Sequence, residues 1–213
     1  PVLWRSLQSL VSRHAVFRTR FEEVDGEARQ VVSASRRHAL PVVDLSGLAE
    51  EVRGREEARL AQSEASYGFV LEEGDLLRTV LLRSGRERHV LLLTMHHIIS
   101  DGWSMGVFVE EFGALASAYA RGERAQLPRL PVSYADYAQW QREWLSGDEL
   151  SRQLGYWRET LSGLPPVLEL PTDRARPARR RHEGGQWTGR VSGDLRSGLE
   201  SLGRAQGATP FMV

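Results

Sequence analysis

The sequence contains no cysteine. Disulfide frameworks and thiolate chemistry are therefore excluded, and a reducing compartment is the matching environment. An excess of charge is also missing: 28 Lys plus Arg against 28 Asp plus Glu give a formal net charge of zero. The balance favours neither nucleic acid nor an anionic membrane as a partner. No apolar run is long enough to cross a bilayer and no signal-peptide pattern is present, so the expected location is cytoplasmic. The chain also lacks an initiator methionine. It opens inside an amphipathic segment and stops at Thr209-Pro210-Phe211-Met212-Val213, which reads as a helix just starting, with Thr as N-cap and Pro at the first helical position. A fragment is the expectation. Its 213 residues suffice for one domain with a real core or one lobe of a larger enzyme.

What is present alternates between helical and extended patterns. Leu3, Leu7, Leu10 and Val11 recur at helical spacing, which predicts an amphipathic helix over residues 2–16. Residues 17–23 then alternate toward a strand, Asp25-Gly26 signals a hairpin, and residues 28–32 form the return strand. After Val42-Val43, Asp44 or Ser46 is placed to cap a Glu- and Arg-rich helix reaching about Ser66. Strands are expected over 76–82 and 89–95, the second apolar enough for burial on both faces. Helices follow over 104–121, 134–145 and 150–161. Residues 164–182 are rich in Pro and Arg, and the cluster Arg174, Arg176, Arg179, Arg180 and Arg181 reads as a solvated linker. A strand over 186–191 and a helix over 195–205 close the pattern. Helices and strands are mixed throughout, so the class is α/β, a sandwich of helices against a sheet.

The chemistry-bearing stretch is Met95-His96-His97-Ile98-Ile99-Ser100-Asp101-Gly102-Trp103-Ser104. It follows a strand and precedes a helix, where a rigid scaffold ends in an open loop. Adjacent strand residues point to opposite faces, so one histidine is expected to be structural and the other available. A neutral imidazole can accept a proton near pH 7, as attack of an amine or hydroxyl on an acyl group requires. Asp101 could orient that imidazole or pair with an arginine and lock the loop. Gly102 is read as permitting a special backbone conformation, and the helix start near Ser104 as offering free N–H groups to developing negative charge. Two blander readings stand beside this one: a hydrogen-bonded core histidine, and a metal site, for which no second ligand cluster is visible.

Three motifs narrow the choice. The loop is similar to the HHxxxDG signature of non-ribosomal peptide synthetase condensation domains, with every fixed letter matched and Trp103-Ser104 as the usual continuation. Residues 13–21, Arg13-His14-Ala15-Val16-Phe17-Arg18-Thr19-Arg20-Phe21, resemble the RHExLRTxF motif, departing at Ala15 and Phe17. Residues 134–140, beginning Tyr134-Ala135-Asp136-Tyr137, resemble YxDYAxW. The resemblance covers nearly the whole chain, through Tyr156-Trp157 and Leu170-Pro171-Thr172-Asp173.

The resemblance implies a chloramphenicol-acetyltransferase-like two-layer sandwich, a mixed sheet packed with helices, forming the first lobe of a pseudo-dimer. Residues 1–164 would be the N-terminal lobe, and 165–213 the linker and start of the second. The implied reaction joins a donor acyl or peptidyl thioester to an acceptor aminoacyl thioester, both on peptidyl carrier proteins beside an adenylation domain. No cofactor belongs to the domain itself; phosphopantetheine arms come with the carriers. His97 would be catalytic, as general base or as positioner of the amine, and His96 largely structural. Asp101 would form a salt bridge with Arg18, favoured over Arg13. Gly102 would line the tunnel, and Trp103, Tyr134, Tyr137 and Trp140 would pack. The two histidines argue against cyclising relatives, and Trp103-Ser104 against epimerising ones; an L-donor joined to an L-acceptor fits best. The fragment alone is expected to be inactive. The competing readings are an acyltransferase acting on a free alcohol or a coenzyme A thioester, and a catalytically silent recruiting domain.

Overall fold

Leu7, Leu10 and Val11 are fully buried on one face of helix α1, Val2–Arg13, and around that face the chain assembles. The structure, a computed structural model, describes residues 1–175, 177–179 and 187–213. Helix α1 is shorter than expected: His14 leaves the helical region and a single 3₁₀ turn, Ala15–Arg18, follows. Strands β1, Thr19–Val24, and β2, Glu27–Val32, form an antiparallel hairpin with Val24 opposite Glu27. Its turn places Asp25 at φ 56° and Gly26 at φ 79°, the pair of positive values that a two-residue hairpin of matching twist requires.

The second sheet is mixed, in the order β3-β4-β5. Strand β3, Val42–Asp44, runs parallel to β4, Leu77–Arg83. Strand β5, His89–Met95, pairs antiparallel with β4, Leu77 opposite Met95. Apart from exposed His89, β5 is half-buried rather than fully covered. Between β3 and β4 lies α2, Glu50–Ser66, which starts later than expected. Neither Asp44 nor Ser46 caps it: Asp44 Oδ1 accepts the Ser46 N–H at 2.9 Å in a local turn, and the helix opens at Ala49 without a side-chain cap.

Helix α3, Gly102–Ala120, lies against α1. Leu7, Leu10, Phe108 and Leu115 form one core cluster, and Val11, Leu76, Leu77 and Ile99 form another. Burying each such side chain stabilises the fold by about 1.5–3 kcal/mol. The α1 helix thus joins α3 on one side to the start of β4 and the turn after β5 on the other, which gives the expected α/β arrangement. Gly74 makes a close approach possible: at φ +73°, an added Cβ would lie 2.8 Å from Arg20 Cβ. Helices α4, Tyr134–Trp144, and α5, Gly147–Thr160, follow. The α4 helix starts with a reciprocal capping box between Ser133 and Asp136.

The chain divides into two compact units, residues 1–161 and 162–213. The second holds α6, Gly193–Ala205, capped by Ser192 and followed by Gly207 at φ 63°. The strand expected over 186–191 is not formed by residues 187–191, which pair with no other segment among the described residues; Gln186 lies outside them. The linker residues Arg176, Arg180, Arg181 and His182 also lie outside, while Arg174 and Arg179 are exposed. The helix start expected at Thr209 is one turn, with Met212 N–H bonded to Thr209 C=O at 2.9 Å.

Candidate active site

Strand β5 ends in a tight turn organised by His96. Its N–H donates to Leu76 C=O at 3.0 Å, and its own C=O accepts from Ile99 N–H at 3.1 Å. Ile98 N–H donates to His96 Nδ1 at 2.9 Å. Nδ1 is thereby an acceptor, so the neutral ring carries its proton on Nε2. Phe69 meets the ring edge-on, with centroids 5.6 Å apart. Ile99 pins the far side of the turn, buried among Val11, Leu76 and Leu77.

Between these two anchors His97 is exposed. It borders a cleft of about 280 Å³ with apolar walls from Phe17, Ile98, Val107 and Phe108, and with His14, Trp103 and Tyr134 at its margins. The two adjacent histidines thus differ in their surroundings: the His96 ring is held within the turn, and His97 is exposed.

Asp101 closes the turn as the N-cap of α3. Its Oδ1 accepts from Ser104 N–H at 2.8 Å and from Ser104 Oγ at 2.6 Å. These bonds hold its carboxyl below the ordinary carboxylate range, with a smaller contribution from His97. The expected ion pair with Arg18 is absent among the described residues. Arg18 Nε donates to Val11 C=O at 3.0 Å, and its Nη1 to the carbonyls of Ser33 and Ala34. The guanidinium is consumed in tying the end of α1 to the segment after β2, while the carboxylate is satisfied one turn into its own helix. Arg13 does not reach Asp101 either; it pairs with Glu111.

Capping also changes the reading of the α3 start. The Ser104 N–H is taken by the Asp101 side chain and the Met105 N–H by the Asp101 C=O, so these N–H groups are not free for developing charge. Gly102 is the first helical residue and does not lie at positive φ; an added Cβ there meets nothing within 4 Å. Strain does not demand a glycine at this position. Trp103 is 85% exposed rather than packed. Tyr134, Tyr137, Trp140 and Trp144 are exposed along α4 and contact one another in sequence, Trp140 and Trp144 stacked at 5.6 Å.

Two residues of the cleft region escape a reading of the sequence as a pair. His14 Nε2 lies 2.6 Å from Glu111 Oε2, and Arg13 Nε donates to both Glu111 oxygens at 3.1 Å. His14 is visible within its motif, but Glu111 looks like any other acidic residue on an amphipathic helix. Among the described residues, no group of three or more His, Asp or Glu side chains could hold a metal ion. No helix there is long and apolar enough to cross a membrane.

Comparison with known proteins identifies the family of the chain. The chain is 48% identical over 209 residues to one of the linear gramicidin synthase proteins of Brevibacillus parabrevis, covering 98% of this chain and 4% of that protein. It is 41% identical over 208 residues to phosphinothricin tripeptide synthetase PhsC of Streptomyces viridochromogenes, covering 98% of this chain and 19% of that protein. In structure it is similar to the X-domain from teicoplanin biosynthesis, with TM-score 0.81 and 29% identity, covering 98% of this chain and 46% of that one. The chain thus spans a small part of these curated relatives and less than half of the solved one. The family model of the Condensation domain matches residues 1–213, the whole of this sequence, and the chain belongs to that family.

Proposed function

We propose that this chain carries the His97 side of a site that forms an amide between a donor acyl or peptidyl thioester and an acceptor aminoacyl thioester. Both substrates are held on carrier proteins, in non-ribosomal peptide synthesis. The observation that supports this most is the exposed His97 imidazole on an apolar cleft, framed by His96, Ile99 and Asp101. In the reaction the acceptor amine attacks the donor carbonyl. A C–N bond forms, the C–S bond breaks, the donor thiol leaves, and the nitrogen gives up its surplus proton. An imidazole within hydrogen-bond reach can take that proton or hold the amine toward the carbonyl. Apolar walls suit the uncharged arm and acyl chain of a thioester.

On this reading Asp101 acts through the loop geometry and not by proton transfer. The phosphopantetheine arms arrive with the carriers, and an adenylation domain is the expected neighbour. The chain covers 46% of the solved relative, and the 213 residues alone are expected to give no turnover.

The test is a single-turnover assay read by mass spectrometry. It uses the chain extended to the full length of the solved relatives, one acyl-loaded carrier and one aminoacyl-loaded carrier. Amide on the acceptor carrier supports the proposal. No amide with several cognate pairs points instead to a recruiting domain or to an acyltransferase that works without a second carrier.

A further inference from the structure

His96 holds the turn that presents His97, and two contacts of the His96 ring stand out among the described residues: the Ile98 N–H on Nδ1 and the edge-on Phe69. Phe69 is itself held from behind. The Arg78 guanidinium lies 3.9 Å from the Phe69 ring centroid and 5.0 Å from that of Tyr67. Its nitrogens are all committed to the segment leading into Phe69. Nε donates to Glu64 Oε1 at 2.6 Å, Nη1 to Gly68 C=O at 3.1 Å, and Nη2 to Glu64 C=O at 3.1 Å and Tyr67 C=O at 2.8 Å. Arg78 is on β4 opposite Thr94 of β5, so its fork is anchored to the same sheet that carries the histidine turn. A planar fork that binds three carbonyls and a carboxylate while stacking on an aromatic face cannot be replaced by a lysine ammonium.

We infer that Arg78 and Phe69 are positioning residues for His97, acting through the His96 ring. The inference deepens the proposed function and rests on its reading of His97. Arg78 fixes the 64–68 segment, that segment places Phe69, Phe69 blocks rotation of the His96 ring, and the ring keeps Nδ1 on the Ile98 N–H. Loss of the fork or of the aromatic edge frees the ring, and the turn carrying His97 loses its definition. A displacement of about 1 Å at such a group can lower turnover about a hundredfold.

The test reads the His96 ring directly, by ¹⁵N chemical shifts of its imidazole in the whole chain. Wild type should show the single Nε2–H tautomer that an Nδ1 acceptor dictates. Arg78→Ala and Phe69→Leu should both show a tautomer mixture, and Arg78→Lys should not restore the wild-type pattern. Leu115→Ala, a core truncation remote from this chain of contacts, should lose stability and keep the wild-type tautomer. In the extended domain, Arg78→Lys should lower kcat at least about tenfold with little change in KM for the acceptor carrier. A wild-type tautomer in both Arg78→Ala and Phe69→Leu, or a mixture in Leu115→Ala, would overturn the inference. The tautomer is read without turnover, so absence of amide formation by wild type counts against the proposed function alone.

Discussion

Glu111 ties the end of α1 to the middle of α3 directly beside the cleft, and Glu111→Ala removes that tie. Its carboxylate receives Arg13 Nε on both oxygens and sits 2.6 Å from His14 Nε2, with side-chain exposures of 12%, 18% and 20% for Glu111, Arg13 and His14. Hydrogen bonds to a charged group contribute about 1.5–3 kcal/mol when partly buried. Arg13 keeps its bond to Pro128 C=O, so its stranding is incomplete. The expected loss is about 2 kcal/mol, or a fall in Tm of about 4–8 °C for a chain of this length. Glu111→Gln retains one acceptor oxygen and should lose about half as much. Urea unfolding followed by circular dichroism measures both. A loss below about 0.5 kcal/mol for Glu111→Ala would show that water replaces the carboxylate freely and would refute the reasoning.

Ile99 is 6% exposed between Val11, Leu76 and Leu77, so Ile99→Ala should cost about 2–4 kcal/mol in denaturant unfolding, whereas Ile99→Val should cost about 1. Asp101→Asn keeps an acceptor for the Ser104 N–H and should leave the exchange rate of that amide near wild type, while Asp101→Ala should accelerate it; equal rates in the two variants would contradict the capping role. His38 is buried against Thr79, and burial first, then the Arg36 charge, lowers its pKa from the ordinary 6.5. Because the folded pKa is depressed, the unfolded chain takes up the proton first as pH falls below 6.5, and stability drops there and is regained above it. The urea midpoint of wild type should therefore fall more steeply from about pH 7.5 to about 5.5 than that of His38→Asn, and identical slopes would count against this.

The elements are legible where the chain carries a strong local pattern. Asp25-Gly26 marks the hairpin because few other residues tolerate two positive φ values in succession, and the β4 and β5 strands show in their apolar runs. The signature loop lies between β5 and α3, as its flanking patterns indicate. What is not legible depends on competition between partners. Asp101 has a serine three residues ahead, the spacing of an N-cap, whereas the motif resemblance assigns it to Arg18. The cap is local and costs no chain closure; the ion pair needs a distant guanidinium already bound to three carbonyls. Asp44 and Ser46 likewise satisfy each other in a turn before the helix begins. The Trp187–Val191 segment shows strand-like alternation, but a strand exists only with a neighbour, and residue spacing does not reveal one. The Glu111 contact joins residues 97 and 98 positions apart, beyond any sequence window.

On the proposed function, His97 supplies the chemistry while His96 and Asp101 supply its frame. The most direct measurement compares His97→Ala, His96→Ala and Asp101→Asn in the single-turnover amide assay, with Tm recorded for each. His97→Ala should abolish amide formation at an unchanged Tm, His96→Ala should lose both activity and stability, and Asp101→Asn should retain much of each. Amide formation by His97→Ala at the wild-type rate would contradict a chemical role for His97.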